Sequence, residues 1–398
     1  MKILTVCQYY YPEQFRINGI CEELVKKGNS VTVLTGLPNY PKGVVLKEYK
    51  FFRKRKEEVN GVKIKRCFEI GRRHGIIYRA LNYVSFMISA SWKALFLADD
   101  FDLVYVYQLS PITMAIPGII YKKIHKKPLV LYCLDLWPES ITTFGIKEGT
   151  ILYKIIRKIS DYIYREADKI IVSSDMFRKE IEKRIKNTKE IVHLPQYAEE
   201  NLKRSKIEEN DFVDFVFAGN VGKAQSVETI IKAAELVKKN KKIKIHIVGD
   251  GTSLENCKKL ASKLKLENVI FYGKKQFEEM QQYYDLADAM LVTLSKNEFA
   301  TKTLPAKVQA CMATAKPIIV AANGETPEVI LKAKCGFCSE AENAKNLAEN
   351  MLKFVDINME EKIKMADNAY EYYNKYFEKD IFINSLLEIF KKEGINNV

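Results

Sequence analysis

Two short apolar runs end in glycine turns, FAGNVGK (217–223) and VGDG (248–251). Glycines at the end of a parallel strand let the backbone approach a phosphate, and the next helix N-terminus adds unpaired N–H groups and a positive dipole. Gly219, Asn220, Gly222, Lys223 and Gly249 are therefore candidate phosphate-loop residues. The spacing is neither the dinucleotide GxGxxG nor a P-loop, and plain strand–helix turns would also use these glycines. Ser226 reads as an N-cap after the first turn, and Thr252 with Glu255 as a capping box after the second. Lys307, in KTLPAKVQ (302–309), falls at the start of an alanine-rich helix. A cation there opposes the helix dipole unless an anion is bound beside it, although a solvated surface lysine is the competing explanation. Glu325 and Glu328, in NGETPEV (323–329), could contact a ligand or simply compensate a dipole.

The first half carries a second set. YYYPEQFR (9–16), LPNYPKG (37–43) and LDLWPES (134–140) each follow an apolar run. They offer Glu13, Arg16, Asn39, Tyr40 and Asp135 at one sheet edge. Asp135 beside Trp137 suits a base or electrostatic stabiliser with a tuned pKa, or else a turn cap. Arg16 could pair with phosphate or face solvent. Three other patterns carry little. DDFD (99–102) precedes a strand and reads as a solvated turn, and Cys335-Gly-Phe-Cys338 has no second CxxC to make a zinc site. The histidines at 74, 125, 193 and 246 are scattered, so neither a metal centre nor a Ser-His-Asp constellation is expected.

The elements that must position these residues alternate. Strands are expected at Ile3–Val6, Val31–Leu34, Val62–Arg66, Leu103–Val106, Leu129–Leu131, Ile170–Val172 and Ile191–His193. After a polar linker (195–212) they resume at Phe212–Phe217, Ile243–Val248, Val269–Tyr272, Ala289–Val292 and Pro317–Val320. Continuous apolar strands separated by helices imply parallel sheets covered on both faces, here two doubly wound α/β domains. The chain has 398 residues, consistent with two or three domains. Its eight cysteines form no framework and fit reduced thiols in a cytosolic protein. No signal peptide or bilayer-spanning run is apparent, which argues against secreted, integral-membrane and fibrous classes.

Charge is lopsided. Residues 1–200 hold 34 Lys and Arg against 22 Asp and Glu, whereas residues 201–398 hold 30 against 28. A basic half points to an anionic partner, namely nucleic acid, an acidic membrane surface or a phosphorylated ligand, or merely to a soluble lysine-rich surface. The stretch Ile76–Leu97 is a helix whose polar residues Arg79, Asn82, Ser85, Ser89 and Lys93 form one narrow stripe. Such a helix is either buried between sheet and neighbour or dips into a membrane surface, with Arg72-Arg73 and Arg53–Lys56 nearby to meet anionic lipid.

In combination, YYPE, LPNYPKG, DLWPES, PQYAEE, FAGNVG, VGDG, LPAKVQACMATAKPII and NGE resemble glycosyltransferase family 4, in particular its bacterial O-antigen, capsule and exopolysaccharide branch, similar to L-fucosamine transferases. The resemblance implies a GT-B fold: two facing Rossmann-like doubly wound domains with a cleft between them and a C-terminal helix crossing back to the first. It implies an acceptor-binding domain over residues 1–195 plus 376–398, and a nucleotide-sugar domain over 196–375. It implies a retaining, metal-independent transferase with no cofactor. The donor would be a nucleotide diphosphate sugar, a UDP-linked amino or deoxy sugar, and the acceptor a polyprenyl-diphosphate-linked saccharide. The protein would sit in the cytoplasm, peripheral on an anionic inner membrane face, with no nucleic-acid partner. Gly219–Gly222 resembles the diphosphate loop and Lys307 the lysine that neutralises the leaving diphosphate. Asp135 and Glu13 would contact acceptor or sugar from the other domain, and Glu325 would contact the sugar. The pattern departs at Lys302 and Ala310, where many members carry two glutamates, the second holding the ribose. The diphosphate-loop arginine is also absent. A UDP-sugar 2-epimerase on the same architecture and a basic nucleic-acid-binding protein are the alternatives, although no recognition module supports the latter.

Overall fold

The structure is a computed structural model that describes residues 1–51, 53–186, 189–198, 202–209 and 211–395. Glu199 and Glu200 of the PQYAEE segment lie outside the described residues. The chain divides into two compact units, Met1–Leu194 with Ile383–Val398, and Pro195–Phe382.

The first unit holds β1 (Lys2–Val6), β2 (Ser30–Thr35), β3 (Lys56–Val59), β4 (Val62–Arg66), β5 (Leu103–Gln108), β6 (Leu129–Cys133), β7 (Lys169–Val172) and β8 (Ile191–His193). They form one sheet in the order β3-β4-β2-β1-β5-β6-β7-β8. Order reverses on the two sides of β1, and ligands of open α/β sheets bind beside such a point, at the carboxyl ends of the strands. Runs such as Leu103–Gln108 are buried along their whole length because helices cover both faces. The sheet is not purely parallel. β3 pairs antiparallel with β4 through Asn60-Gly61, whose φ values of 52° and 78° suit a tight hairpin turn. The final helix, Lys379–Ile395, contributes Phe390, which packs edge-on against Tyr105 of β5.

The second unit holds β9 (Val213–Ala218), β10 (Ile243–Val248), β11 (Val269–Gly273), β12 (Ala289–Thr293), β13 (Ile318–Ala321) and β14 (Gly336–Ser339). Their order is β11-β10-β9-β12-β13-β14, parallel throughout, again reversing at the unit's first strand. Phe215 and Phe217 of β9 point into a core shared with Ile230, Ile245 and Phe354.

Two local expectations are corrected and one pair of alternatives is narrowed. Ser226 sits at φ 43° and its side chain caps no helix N–H; its hydroxyl instead meets that of Thr229. The helix after VGDG begins at Leu254 behind Ser253, so Thr252 and Glu255 do not form a capping box. The alternatives concern the apolar helix, Ile76–Leu95, which is not buried all round. Its polar stripe faces the protein. Asn82 donates to the Ile70 carbonyl, Ser85 accepts from Ile70 N–H, Ser89 donates to the Phe68 carbonyl and Lys93 donates to the Arg66 carbonyl. The irregular segment leaving β4 has backbone groups that no strand satisfies, so the helix supplies polar partners inward. Tyr83, Phe86, Ala90 and Ala94 are buried beside that stripe, whereas Ile77, Leu81, Val84, Ile88, Trp92 and Leu95 are left outside.

Candidate functional site

In the second unit the loops after β9 and β10 are zipped together. Gly219 N–H donates to the Val248 carbonyl, Val221 N–H to the Asp250 carbonyl, and Ser253 N–H to the Val221 carbonyl, each at 2.9 Å. This approach needs glycine. Gly249 has φ 144°, and a Cβ there would overlap the Gly219 carbonyl oxygen. A third strand end joins them, because Gly249 N–H donates to the Gly273 carbonyl of β11.

These loops wall a cavity of about 520 Å³ together with Lys274, Lys275, Phe277, Met280, Tyr284, Ala306, Lys307 and Ala310. Lys307 is the second residue of the helix Ala306–Ala313, which has no acidic residue in its first turn. Its Nζ is closed off from solvent and has no hydrogen-bond partner among the described residues. The ammonium lies 3.8 Å from the Phe217 ring centroid, and a Cβ on Gly219 would be 3.1 Å from it. Burial pushes its pKa down to about 8. A desolvated cation with only a π face beneath it is costly unless an anion completes the site. The lining thus carries three lysines, Lys307, Lys274 and Lys275, against one acid, Asp250, together with the apolar side chains of Phe277, Met280 and Tyr284. It can hold a diphosphate and a flat ring.

Of the residues singled out from sequence, Gly219, Asn220, Gly249 and Lys307 line this cavity. Gly222 backs the loop, where a Cβ would press on the Asn220 amide. Lys223 is exposed on a short turn outside the lining. Glu325 is buried at the start of the helix Glu325–Ala333 and Glu328 is exposed on it; neither lines the cavity. Lys274 and Lys275 were missed. They follow β11, and only its pairing beside β10 brings them to this edge.

In the first unit, the loops after β1, β2, β5 and β6 each contain a cis X–Pro bond, at Pro12, Pro41, Pro111 and Pro138. Glu13 accepts the backbone N–H groups of Asn39, at 2.7 Å, and Tyr40, at 2.5 Å. It therefore ties the LPNYP loop to the YYYPE loop, while burial raises its pKa to about 7. Tyr9 and Phe15 stack on one another with Tyr40 tilted against both, and Arg16 begins the helix Arg16–Lys26 next to them. Asp135 accepts from the Ser110 hydroxyl and from Trp137 Nε1, and burial pushes it up to about 6. Beneath this edge lies a polar cluster that the sequence did not reveal. Glu69 is buried and accepts from Gln8 Nε2 at 3.1 Å and from Asn39 Nδ2. Gln8 also donates to Asn82, at 2.8 Å. Burial holds the Glu69 carboxyl well above the usual range. The one local clue was a glutamate inside the apolar run CFEI (67–70).

The remaining motifs are absorbed by structure. Asp99 pairs with Lys65 and Asp100 with Lys127, and Asp102 accepts Lys2 N–H. Cys335 and Cys338 are free thiols. His246 is buried between Asp214 and Tyr272, away from the cavity.

Solved structures share this architecture along nearly the whole chain. Sucrose-phosphate synthase from Thermosynechococcus elongatus superposes with a TM-score of 0.75 at 13% identity, covering 98% of each chain. The Anabaena protein HepE in complex with UDP gives 0.72 at 15% identity, covering 98% of this chain and 100% of that one. These place both units in the GT-B class of α/β folds. The family model described as "Glycosyltransferase Family 4" matches residues 16–195, and "Glycosyl transferases group 1" matches residues 198–372. The chain belongs to the family 4 glycosyltransferases. Among curated relatives, the probable glycosyltransferase WbjE of Pseudomonas aeruginosa is 28% identical over 48% of this chain and 50% of its own length. The putative colanic acid biosynthesis glycosyl transferase WcaI of Escherichia coli is 24% identical over 82% of this chain and 84% of its own.

Proposed function

We propose that the protein transfers a sugar from a nucleotide diphosphate sugar, a UDP-linked amino or deoxy sugar, to a polyprenyl-diphosphate-linked saccharide during bacterial surface polysaccharide assembly. The colanic acid relative and the UDP-bound neighbour support the class of pathway and donor. The observation that carries the reading is the buried Lys307 ammonium, unpartnered among the described residues, in a cavity walled by glycine turns.

Breaking the bond between the sugar's anomeric carbon and the diphosphate leaves negative charge on the β-phosphate. Lys307, the loop amides of Gly219–Gly222 and the helix dipole behind Lys307 stabilise that charge, without a metal ion. Lys274 and Lys275 add cationic charge, and Phe277, Met280 and Tyr284 offer apolar surface for the base. Asp135, Glu13, Arg16, Asn39 and Tyr40 serve the acceptor, with Asp135 oriented by Ser110 and Trp137. The new bond forms with retained anomeric configuration. The basic first half suits a lipid-borne diphosphate and supports a peripheral position on the inner face of the cell membrane. A thermal-shift panel of UDP, GDP, dTDP and their sugars tests the donor class. UDP at about 100 times its Kd should add about 2.7 kcal/mol of stability. No shift with any nucleotide would remove the reading.

A further inference from the structure

We propose that the helix Ile76–Leu95 is a membrane-insertion surface that seats its outer face in the headgroup–acyl boundary of an anionic bilayer. The proposal deepens the membrane-face location above and rests on that part of the reading alone.

Ile77, Leu81, Val84, Ile88, Trp92 and Leu95 recur at helical spacing and form one exposed stripe along the helix. Exposure reaches 74% at Ile77, 60% at Ile88 and 66% at Trp92, values that a soluble surface helix normally reserves for polar residues. The polar stripe is turned inward, since Asn82, Ser85, Ser89 and Lys93 are spent on the segment leaving β4, beside the buried Tyr83, Phe86 and Ala90. Trp92 packs against Phe96 at the far end, an aromatic pair of the kind that settles at a membrane interface.

Charge selects the occupant. No acidic residue occurs between Glu69 and Asp99, whereas Arg72, Arg73, Arg79 and Lys93 do. Arg73 is exposed at the helix entrance, over the Tyr78 ring. A second helix, Ile151–Glu166, repeats the arrangement with exposed Ile151, Leu152 and Ile155 among Lys154, Arg157 and Lys158. Both helices pack on the same turn, Ile112–Ala115, and so belong to one layer of the first unit. A second copy docking stripe to stripe would bring these like charges together, whereas anionic headgroups neutralise them. Among the described residues no helix is long and apolar enough to cross a membrane, so the contact is interfacial.

The test is flotation of the full chain with vesicles of phosphatidylcholine alone and of phosphatidylcholine with 30% phosphatidylglycerol. The chain has two tryptophans, and Trp137 is buried, so Trp92 reports on insertion. The chain should bind the anionic vesicles, with a blue shift of Trp92 emission and quenching by brominated acyl chains. Ile77→Ser with Ile88→Ser should cut binding at least tenfold while leaving the UDP thermal shift unchanged. Arg73→Glu should weaken binding and lower its salt sensitivity. Equal flotation of wild type and double variant would overturn the proposal. So would a lipid-free dimer, by light scattering, that the double variant abolishes. Because none of these readouts involves sugar transfer, failure here is distinguishable from failure of the transferase reading.

Discussion

The Lys307 ammonium rests 3.8 Å above the Phe217 ring, with no hydrogen-bond partner among the described residues. The strand that begins the second unit thus supplies the floor on which a helix from nearly ninety positions later places its charge. Lys307→Met should remove donor binding and cut transfer by more than ~100-fold, the scale of losing a principal charge stabiliser. It should also raise the stability of the ligand-free protein at pH 7, by about 2 kcal/mol, because a desolvated ammonium is removed. The folded chain releases this proton at about 8, below the usual 10.5, so wild-type stability rises with pH across that window. The variant should lack that rise. Denaturant melts at pH 7 and pH 10 check both points.

Two groups should frame the pH dependence of transfer. Asp135 acts as a carboxylate, and burial has pushed it up to about 6, so kcat/KM should climb as pH rises through that value. Lys307 must be protonated to meet the diphosphate, so kcat/KM should fall above about 8. Asp135→Asn should abolish the acid limb and lower transfer by about 100-fold, with the UDP thermal shift intact. A profile flat from pH 5 to 9 would count against both assignments.

The glycine zipper makes a steric prediction. Gly249→Ala would drive a Cβ into the Gly219 carbonyl oxygen at a backbone conformation that alanine disfavours. The expected cost is about 2–4 kcal/mol. UDP binding should be lost even below the melting temperature, because the loops must part. Gly145→Ala is the control for positive φ alone, since nothing lies within 4 Å of its Cβ position.

Glu69→Ala should destabilise the first unit by about 2–3 kcal/mol, because the Gln8 and Asn39 amides lose their buried acceptor. Burial keeps the Glu69 proton on the folded chain to a higher pH than on the unfolded one. Its contribution is therefore fullest at low pH and declines as pH rises through the folded value. The stability gap between wild type and variant should narrow from pH 5 to pH 9, as denaturant titration would show.

Strands buried on both faces announced themselves as apolar runs, and all twelve expected segments lie within or overlap observed strands. β3 and β14 did not. Lys56–Val59 is a charged edge strand that shows no apolar run, and Gly336–Ser339 is short and opens on a glycine pressed against Ile318. Lys307 was legible because a lysine at a helix start opposes a local rule, whereas Lys274 and Lys275 obey none that a sequence exposes. Glu69 and Gln8 are joined across sixty-one positions, and no local spacing reveals such a pair. The helix Ile76–Leu95 was legible as a helix, but its direction stayed open between burial and an outward apolar face, because only the fold shows its polar residues satisfying a buried backbone segment.

A crystal structure with UDP bound would locate the diphosphate directly. The diphosphate should lie between the Gly219–Gly222 loop and the helix Ala306–Ala313, with an oxygen about 2.8 Å from Lys307 Nζ. UDP seated in the first unit, or in the second with its diphosphate away from Lys307, would contradict that placement.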